Sequence, residues 1–317
     1  ERTDENYGRS RHRSSKKRKQ MKKILITGSE GFAGQHLWKE LSANGYEVYG
    51  TTLNRPENGL PQNVFVCDIE SQEQLASLIS QIKPDGIMHL AGQAKPGVSF
   101  NIPQRTFEIN TIGTINLLEA VRSIPDYFPR IVLVGTSEEH GVVTPELLPI
   151  TEDTILNPIN PYAISKLANW FLAKEYVRSF NFDIVYASPF THTGPGQLPG
   201  FLSPDIASQI VEIEKGIKDP VVATGDLSSK RDIGDVRDVV RAYRLLLEKG
   251  KAGERYIIST GKSIPVKDIV EKLVSLAKIK IELTIDPSRS RPSDIPDLIG
   301  SHQKLTEATG WQPEIPL

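Results

Sequence analysis

A glycine loop set between a strand and a helix constrains this chain more than any other feature. Residues 22–27 (KKILIT) read as a strand, Gly28-Ser29-Glu30-Gly31-Phe32-Ala33-Gly34 follows, and a helical pattern continues to about Ala43. At that spacing Gly28 permits a tight turn, Gly31 leaves room for a pyrophosphate, and Gly34 lets the helix pack against the strand. The free N–H groups and dipole of the helix end attract phosphate oxygens. The spacing therefore predicts a dinucleotide loop, with Glu30 and Phe32 among the cofactor's neighbours.

The alternation continues. Strands are expected at 47–51, 64–66, 86–90, 131–134 and 184–187, and helices at 71–82, 104–122 and 162–180. Leu75, Leu78, Ile79 and Ile82 recur near one helical face, which is the helix period. Strand–helix alternation of this length predicts an α/β fold, a parallel sheet flanked by helices on both sides. Beyond residue 190 the rhythm loosens. Segments 203–215, 235–249 and 265–277 read as helices, and 221–223, 255–258 and 281–284 as short strands. The expected division is a dinucleotide-binding part over 21–190 and a smaller substrate-binding subdomain over 191–317 that returns some elements to the main fold.

Charge is unevenly spread. Residues 1–20 carry eight Arg or Lys against three Asp or Glu, whereas the whole chain has a net charge of -1. That leader has almost no apolar residues and cannot supply a core. It is expected to be a disordered basic leader or an expression-derived extension, with Met21 as the native start. The near-neutral remainder offers no general attraction to nucleic acid. Cys67 is the single cysteine, so no internal disulfide forms, and the six His residues show no compact metal pattern. No apolar run approaches membrane-spanning length. The expectation is a soluble, cytoplasmic protein without a metal.

Chemistry gathers at 136–166. Tyr162 and Lys166 are four residues apart, so on a helix they share a face. An ammonium favours ionisation of a nearby phenol, and such a pair suits proton transfer while a nicotinamide carries hydride. Thr136, Ser137 and Glu138 follow the strand 131–134. Thr136 is placed to bind a carbonyl oxygen, while Glu138 and Glu139 are either general bases or an exposed loop pair. The segment after strand two, Thr51-Thr52-Leu53-Asn54-Arg55, lacks the acid that commonly holds NAD ribose and offers Arg55 instead. NADP(H) is therefore favoured, with NAD(H) as the alternative. Asp68 and Ile69 are expected against the adenine, Asp68 doubling as a helix-cap candidate. Arg231 and Arg291 provide forks that match phosphate oxygens, with salt bridges to Asp232, Asp235 or Asp294 as the competing reading.

These motifs resemble the extended short-chain dehydrogenase/reductase family that modifies nucleotide sugars, a Rossmann-type fold, over about residues 22–317. The resemblance is carried by GSEGFAG at 28–34, Asp68-Ile69, HLAG at 89–92, Asn110-Thr-Ile-Gly113-Thr, Thr136-Ser137-Glu138, Tyr162-Ala-Ile-Ser-Lys166 and GPGQ at 194–197. GTSEEHG at 135–141, RDIGDVRD at 231–238 and RPSDIPDLIG at 291–300 point within it to reductases of GDP-4-keto-6-deoxy-D-mannose. The resemblance implies that Tyr162 donates a proton, Thr136 binds the sugar oxygen and Lys166 supports tyrosine and ribose. It also implies that His89, Leu90 and Ala91 line the cofactor path, that Asn110 holds that neighbourhood, and that Ser99 and Thr191 border the sugar. A GDP-sugar substrate and a homodimer built on the helices 104–122 and 162–180 follow from the same likeness.

The reaction stays open between ketone reduction, GDP-mannose 4,6-dehydration through Glu138, epimerisation, and a silent nucleotide-sensing role. Departures from the family pattern are Ser188 and Thr191 where Arg and Asn are common, His140 where Tyr or Phe is usual, and Gly92 for Ala. The chain also stops at Leu317, where relatives continue into a helix, so truncation is expected.

Overall fold

The computed structural model describes residues 22–57, 59–289 and 295–317. The basic leader, Met21, Arg291 and Asp294 lie outside the described residues. Seven parallel strands form the main sheet: β1 (Lys23–Thr27), β2 (Glu47–Thr52), β3 (Val64–Val66), β4 (Gly86–His89), β5 (Arg130–Val134), β6 (Asp183–Pro189) and β7 (Arg255–Ile258). Their spatial order is β7-β6-β5-β4-β1-β2-β3. The chain builds outward from β1 to β3, then crosses back to start β4 on the other side of β1. At such a reversal the flanking helices diverge, leaving a crevice at the carboxyl ends of β1 and β4.

Residue alternation assigns the two faces of the sheet. Ile24, Ile26, Met88, Val132 and Val185 bury against one layer, which holds Leu37 and Leu41 of helix α1 (Phe32–Ala43). Their neighbours Leu25, Ile87, Ile131 and Ile184 bury on the other face with Leu75 and Ile79 of α2 (Gln72–Ile82) and Leu117 of α3 (Gly113–Arg122). Strands apolar on both sides are what a sheet covered by helices on each face requires. Helix α4 (Pro161–Phe180) joins the second layer through Ala173 and Tyr176. From beyond residue 190, α5 (Val236–Lys249) joins the first layer through Val239, Val240, Tyr243 and Leu246, and β7 pairs with β6.

The remaining elements form small sheets beside the strand ends. Thr191–Thr193 pairs with Ile233–Asp235, and Val221–Thr224 pairs with Glu282–Ile285. Lys230–Arg231 lies between Ile264–Pro265 and Asp297–Leu298. Helices Leu202–Glu214 and Val266–Ser275 enclose a separate core of Ile206, Ile210, Ile213, Val222 and Val270.

One expected helix is interrupted. The span 104–122 consists of Pro103–Phe107, a π-turn over Glu108–Ile112, and α3. The Asn110 carbonyl accepts from Asn169 Nδ2 at 3.0 Å and from Thr114 Oγ1 at 2.6 Å. Those side chains compete for an oxygen that an uninterrupted ladder would use, which is how a π-bulge arises.

Candidate active site

The first turn of α1 makes the cradle. Gly28 has φ +72°, and a Cβ there would come within 2.8 Å of the Ala91 nitrogen; at Gly34 it would lie 2.4 Å from the Gly28 carbonyl oxygen. Neither position admits a side chain. Gly31 is the N-cap of α1, and no side chain caps that end, so its N–H groups face outward as a phosphate site needs. The Gly28 N–H donates to Thr51 Oγ1 at 3.2 Å, tying the loop to β2. A pyrophosphate fits this uncapped, glycine-lined end.

The acid missing from the end of β2 arrives from the loop. The Glu30 carboxylate accepts a hydrogen bond from the Thr52 hydroxyl, while Arg55 is exposed just beyond. A carboxylate and a cation thus both border the end of β2. Asp68 is not the helix cap. Its Oδ1 accepts from the Glu70 N–H at 2.9 Å, and Ser71 Oγ caps α2 through the Gln74 N–H. Ile69 is buried against Gly113.

Beside β4, His89 is buried with Nδ1 2.8 Å from Thr27 Oγ1 and Nε2 3.2 Å from Thr114 Oγ1. Burial, with Lys166 adding to it, pushes the imidazole down to about 3, so it stays neutral. Leu90 and Ala91 are half-buried, and their N–H groups donate to Thr27 O and Thr27 Oγ1. Asn110 accepts from the Gln93 N–H at 2.8 Å and donates to Gln93 O and Ser165 Oγ. It therefore fastens the segment after β4 to α4. A Cβ at Gly92 would approach Asn110 Oδ1 to 2.8 Å and Lys166 Nζ to 3.6 Å.

Helix α4 begins with a built cap. Asn160 Oδ1 accepts from the Ala163 N–H at 2.8 Å while its amide donates to Glu138 Oε2 at 2.7 Å. Ser99, expected at the sugar, is fully buried; its hydroxyl donates to Pro96 O at 2.6 Å and accepts the Tyr162 N–H at 3.1 Å. In this structure Ser99 sets the start of the tyrosine helix. Tyr162 is 9% exposed. Burial raises its phenol above the ordinary tyrosine value, Glu138 raises it further, and the adjacent Thr136 hydroxyl lowers it. Lys166, expected to ease phenol ionisation, has another partner in this structure. The ammonium turns to the Val134 carbonyl at 3.0 Å, and the phenol stays protonated. Burial takes Lys166 down to about 8 against the opposing pull of Glu139.

The two glutamates part company. Glu138 is half-buried near Tyr162 and Thr136. Glu139, read from sequence as a general base or exposed loop residue, is fully buried because the 3-10 turn Ser137–His140 turns it inward. Its Oε1 accepts the Thr136 N–H at 3.0 Å and lies 2.7 Å from the Tyr186 hydroxyl, and its Oε2 lies 3.0 Å from Arg255 Nη2. Burial pushes the carboxyl up and Arg255 opposes that shift. Ser137 is buried in the same turn.

The departures at 140 and 188 meet on that arginine. Arg255 Nε donates to Ser188 Oγ at 2.9 Å, and Nη2 lies 2.9 Å from His140 Nε2. Since the guanidinium only donates, His140 Nε2 accepts, and Nδ1–H donates to Ile155 O at 3.2 Å. Burial, then Arg255, holds this ring down at about 4.

Thr191, expected at the sugar, is exposed on its short strand. Arg231 is half-buried and Nη1 donates to Lys230 O at 2.8 Å and Ile295 O at 2.5 Å. Asp232 accepts from the N–H groups of Thr260, Gly261 and Gly300, and Asp235 pairs with Arg237. The Arg291 expectation lies outside the described residues.

Asn160, Ser99 as a backbone anchor, and Arg255 were missed from sequence. Asn160-Pro161 carries a local signal, since Asn at an N-cap followed by Pro opens helices. Arg255 has none, because β7 joins the site only through the sheet. Among the described residues no group of His, Cys, Asp or Glu could hold a metal, and no helix is long and apolar enough to cross a membrane.

The family described as GDP-mannose 4,6 dehydratase matches residues 25–317. A GDP-6-deoxy-D-mannose reductase from Pseudomonas aeruginosa is 33% identical over 92% of this chain and 92% of its own length. A GDP-mannose 4,6-dehydratase from Yersinia enterocolitica is 28% identical over 93% of this chain and 90% of its own. The solved structure of the Pseudomonas aeruginosa protein RMD complexed with NADPH superposes with a TM-score of 0.82 at 32% identity, covering 93% of this chain and 94% of that one.

Proposed function

The chain belongs to the GDP-mannose 4,6-dehydratase family and is an NAD(P)-binding oxidoreductase of the extended short-chain type acting on nucleotide sugars; from that premise we propose that it reduces the C4 ketone of GDP-4-keto-6-deoxy-D-mannose to GDP-D-rhamnose. The observation that carries the reading is the buried Tyr162 phenol, protonated beside the Thr136 hydroxyl and one turn from Lys166. Reduction of a ketone needs an acid for the oxygen, and a phenol kept neutral is that acid.

The nucleotide is NADPH in preference to NADH. Gly28, Gly31 and Gly34 would hold its pyrophosphate, with Arg55, Asp68 and Ile69 toward the adenosine and Leu90, Ala91 and Asn110 along the path. NADPH supplies the hydride to C4 when bound. Tyr162 gives its proton to the oxygen as negative charge develops there, and Thr136 offers a hydrogen bond to the same oxygen. Lys166 keeps a positive charge by the phenolate that remains, and solvent returns the proton. Thr191, Ser137 and Arg231 would contact the sugar and its diphosphate, Arg231 releasing a carbonyl to do so. Support for the GDP sugar comes from the similarity to the Pseudomonas aeruginosa reductase.

Glu138 favours a second reading. A carboxylate oriented by Asn160 beside Tyr162 could remove a proton during 4,6-dehydration of GDP-mannose. Incubation with GDP-4-keto-6-deoxy-D-mannose and NADPH separates the two: consumption of NADPH with a reduced sugar supports reduction, whereas dehydration of GDP-mannose without net cofactor use overturns it. Binding of both ligands with no product under either condition would indicate a silent nucleotide-binding protein.

The same reading includes a cytoplasmic homodimer. Ile112, Ile164 and Phe171 are exposed at 49%, 43% and 55% along the π-turn and α4, and an apolar face of that kind suits a second copy. The single buried thiol, Cys67, fits a reducing compartment.

A further inference from the structure

The buried ion pair beneath the site does something the reaction scheme leaves unused. Arg255 and Glu139 are 2% and 0% exposed, and they come from β7 and from the turn after β5. Their contact at 3.0 Å is a charge contact off the hydrogen-bond line, which leaves Arg255 Nη1 and Glu139 Oε2 buried without a hydrogen-bond partner. Burying both charges is expensive, and one left alone would cost more still. A core that needed only packing would place apolar groups here.

What the pair holds is the turn 134–136. Glu139 Oε1 takes the Thr136 N–H at 3.0 Å, and Lys166 Nζ takes the Val134 carbonyl at 3.0 Å from the other side. The Tyr186 hydroxyl joins the two, 2.7 Å from Glu139 Oε1 and 2.6 Å from the Lys166 carbonyl. A Cβ at Gly135 would collide with both Glu139 Oε1 and the Tyr186 ring, so the turn is closed down upon the carboxylate. Arg255 is in turn located by Ser188 Oγ and His140 Nε2.

We propose that Glu139 and Arg255 are positioning residues: as a buried ion pair they fix the Thr136 backbone and hold a negative charge beneath Lys166. This rests on Thr136, Tyr162 and Lys166 being the reacting centre. Arg255 is permanently charged, and with the Thr136 N–H and Tyr186 hydroxyl it opposes the effect of burial on the carboxylate. The titratable groups around Lys166 are Tyr162 on its own helix, His89 at the end of β4, Tyr186 on β6 and Glu139 below; Glu139 raises the ammonium and burial lowers it. Losing the negative charge therefore moves Lys166 deprotonation to lower pH than its present value of about 8.

The test uses the full chain with Arg255→Met and with Glu139→Gln/Arg255→Met. Lys166 titration is followed by NMR of isotope-labelled lysine, assigned with Lys166→Met, and turnover is measured with NADPH and the GDP-keto sugar. Arg255→Met leaves the Glu139 charge uncompensated, so its Lys166 midpoint should rise, whereas the double variant, with no negative charge beneath the ammonium, should show it fall. Arg255→Met should lose roughly 10- to 100-fold in kcat through the displaced turn, with NADPH Kd little changed. The double variant should recover much of that loss, because the side-chain amide introduced by Glu139→Gln still offers an oxygen to the Thr136 N–H and no lone charge remains. Unchanged Lys166 titration and kcat in Arg255→Met, whatever its Tm, would overturn the proposal. Should Arg255→Met fail to fold, the double variant decides by the Lys166 titration alone. That titration needs no sugar, so a wild-type protein that reduces no GDP-keto sugar yet shows the shift refutes the reaction and leaves the positioning role standing.

Discussion

Beside the main sheet each expected site group follows closely on a strand: Gly28 after β1, Leu90 and Ala91 after β4, Thr136 after β5. In the smaller subdomain, Thr191 and Arg231 come from strands of two or three residues whose partners are far along the chain, Ile233–Asp235 for one and Asp297–Leu298 for the other. The first region is held by seven parallel strands with buried faces, the second by short pairings and single side-chain bonds. A parallel sheet fixes positions through many backbone bonds at once, so its strand ends can carry chemistry that tolerates little displacement. The short sheets fix less, which suits the part of a site that varies with substrate.

That contrast can be broken at both ends. Tyr162→Phe removes the acid and should lower kcat by roughly 10²- to 10⁴-fold, while NADPH binding, read by quenching of nicotinamide fluorescence, survives. Retained turnover would sink the role given to the phenol. Arg231→Ala comes next: a charge-assisted hydrogen bond of about 1.5–3 kcal/mol predicts a rise of at least tenfold in KM for the GDP sugar, with NADPH Kd unmoved. If KM holds and only Tm falls, Arg231 serves the fold and not the sugar.

At the other end, Gly34→Ala drives a methyl into the Gly28 carbonyl. Overpacking of that kind costs about 1–3 kcal/mol, and it should appear as weakened NADPH binding with GDP binding preserved; equal loss of both would mean that the two ends are not separable. The smallest effect is expected from Ser99→Ala. It leaves the Tyr162 N–H without its acceptor, a loss of about 1 kcal/mol, so kcat should drop a few-fold at constant sugar KM. A rise in KM alone would return Ser99 to the sugar contact expected from sequence.

How much of this could be read along the chain differs by region for the same reason. The short apolar run Ile24-Leu25-Ile26 and helical spacing in Leu75-Leu78-Ile79-Ile82 answer to backbone geometry, so they report local structure directly. The glycine loop is equally local at Gly31 and Gly34, which answer to Gly28 and Ser29 in the same turn, and Gly28 has the positive φ that glycine adopts freely. The π-turn at 108–112 was hidden, since it depends on Asn169 taking the Asn110 carbonyl from another helix.

The same distinction separates Glu138 from Glu139. Adjacent and chemically identical, they differ only in the direction a single 3-10 turn gives them and in what waits there: Asn160 for one, Arg255 for the other. Sequence by itself determined the α/β architecture, the phosphate cradle and the Tyr162–Lys166 spacing, because periodicity and glycine geometry act within a few residues. Tertiary structure alone decided which acid is buried, where Ser99 spends its hydroxyl, that Glu30 borders the end of β2, and that Lys166 faces Val134. Burial and electrostatic partnership are set by groups distant in the chain, and no local pattern encodes them.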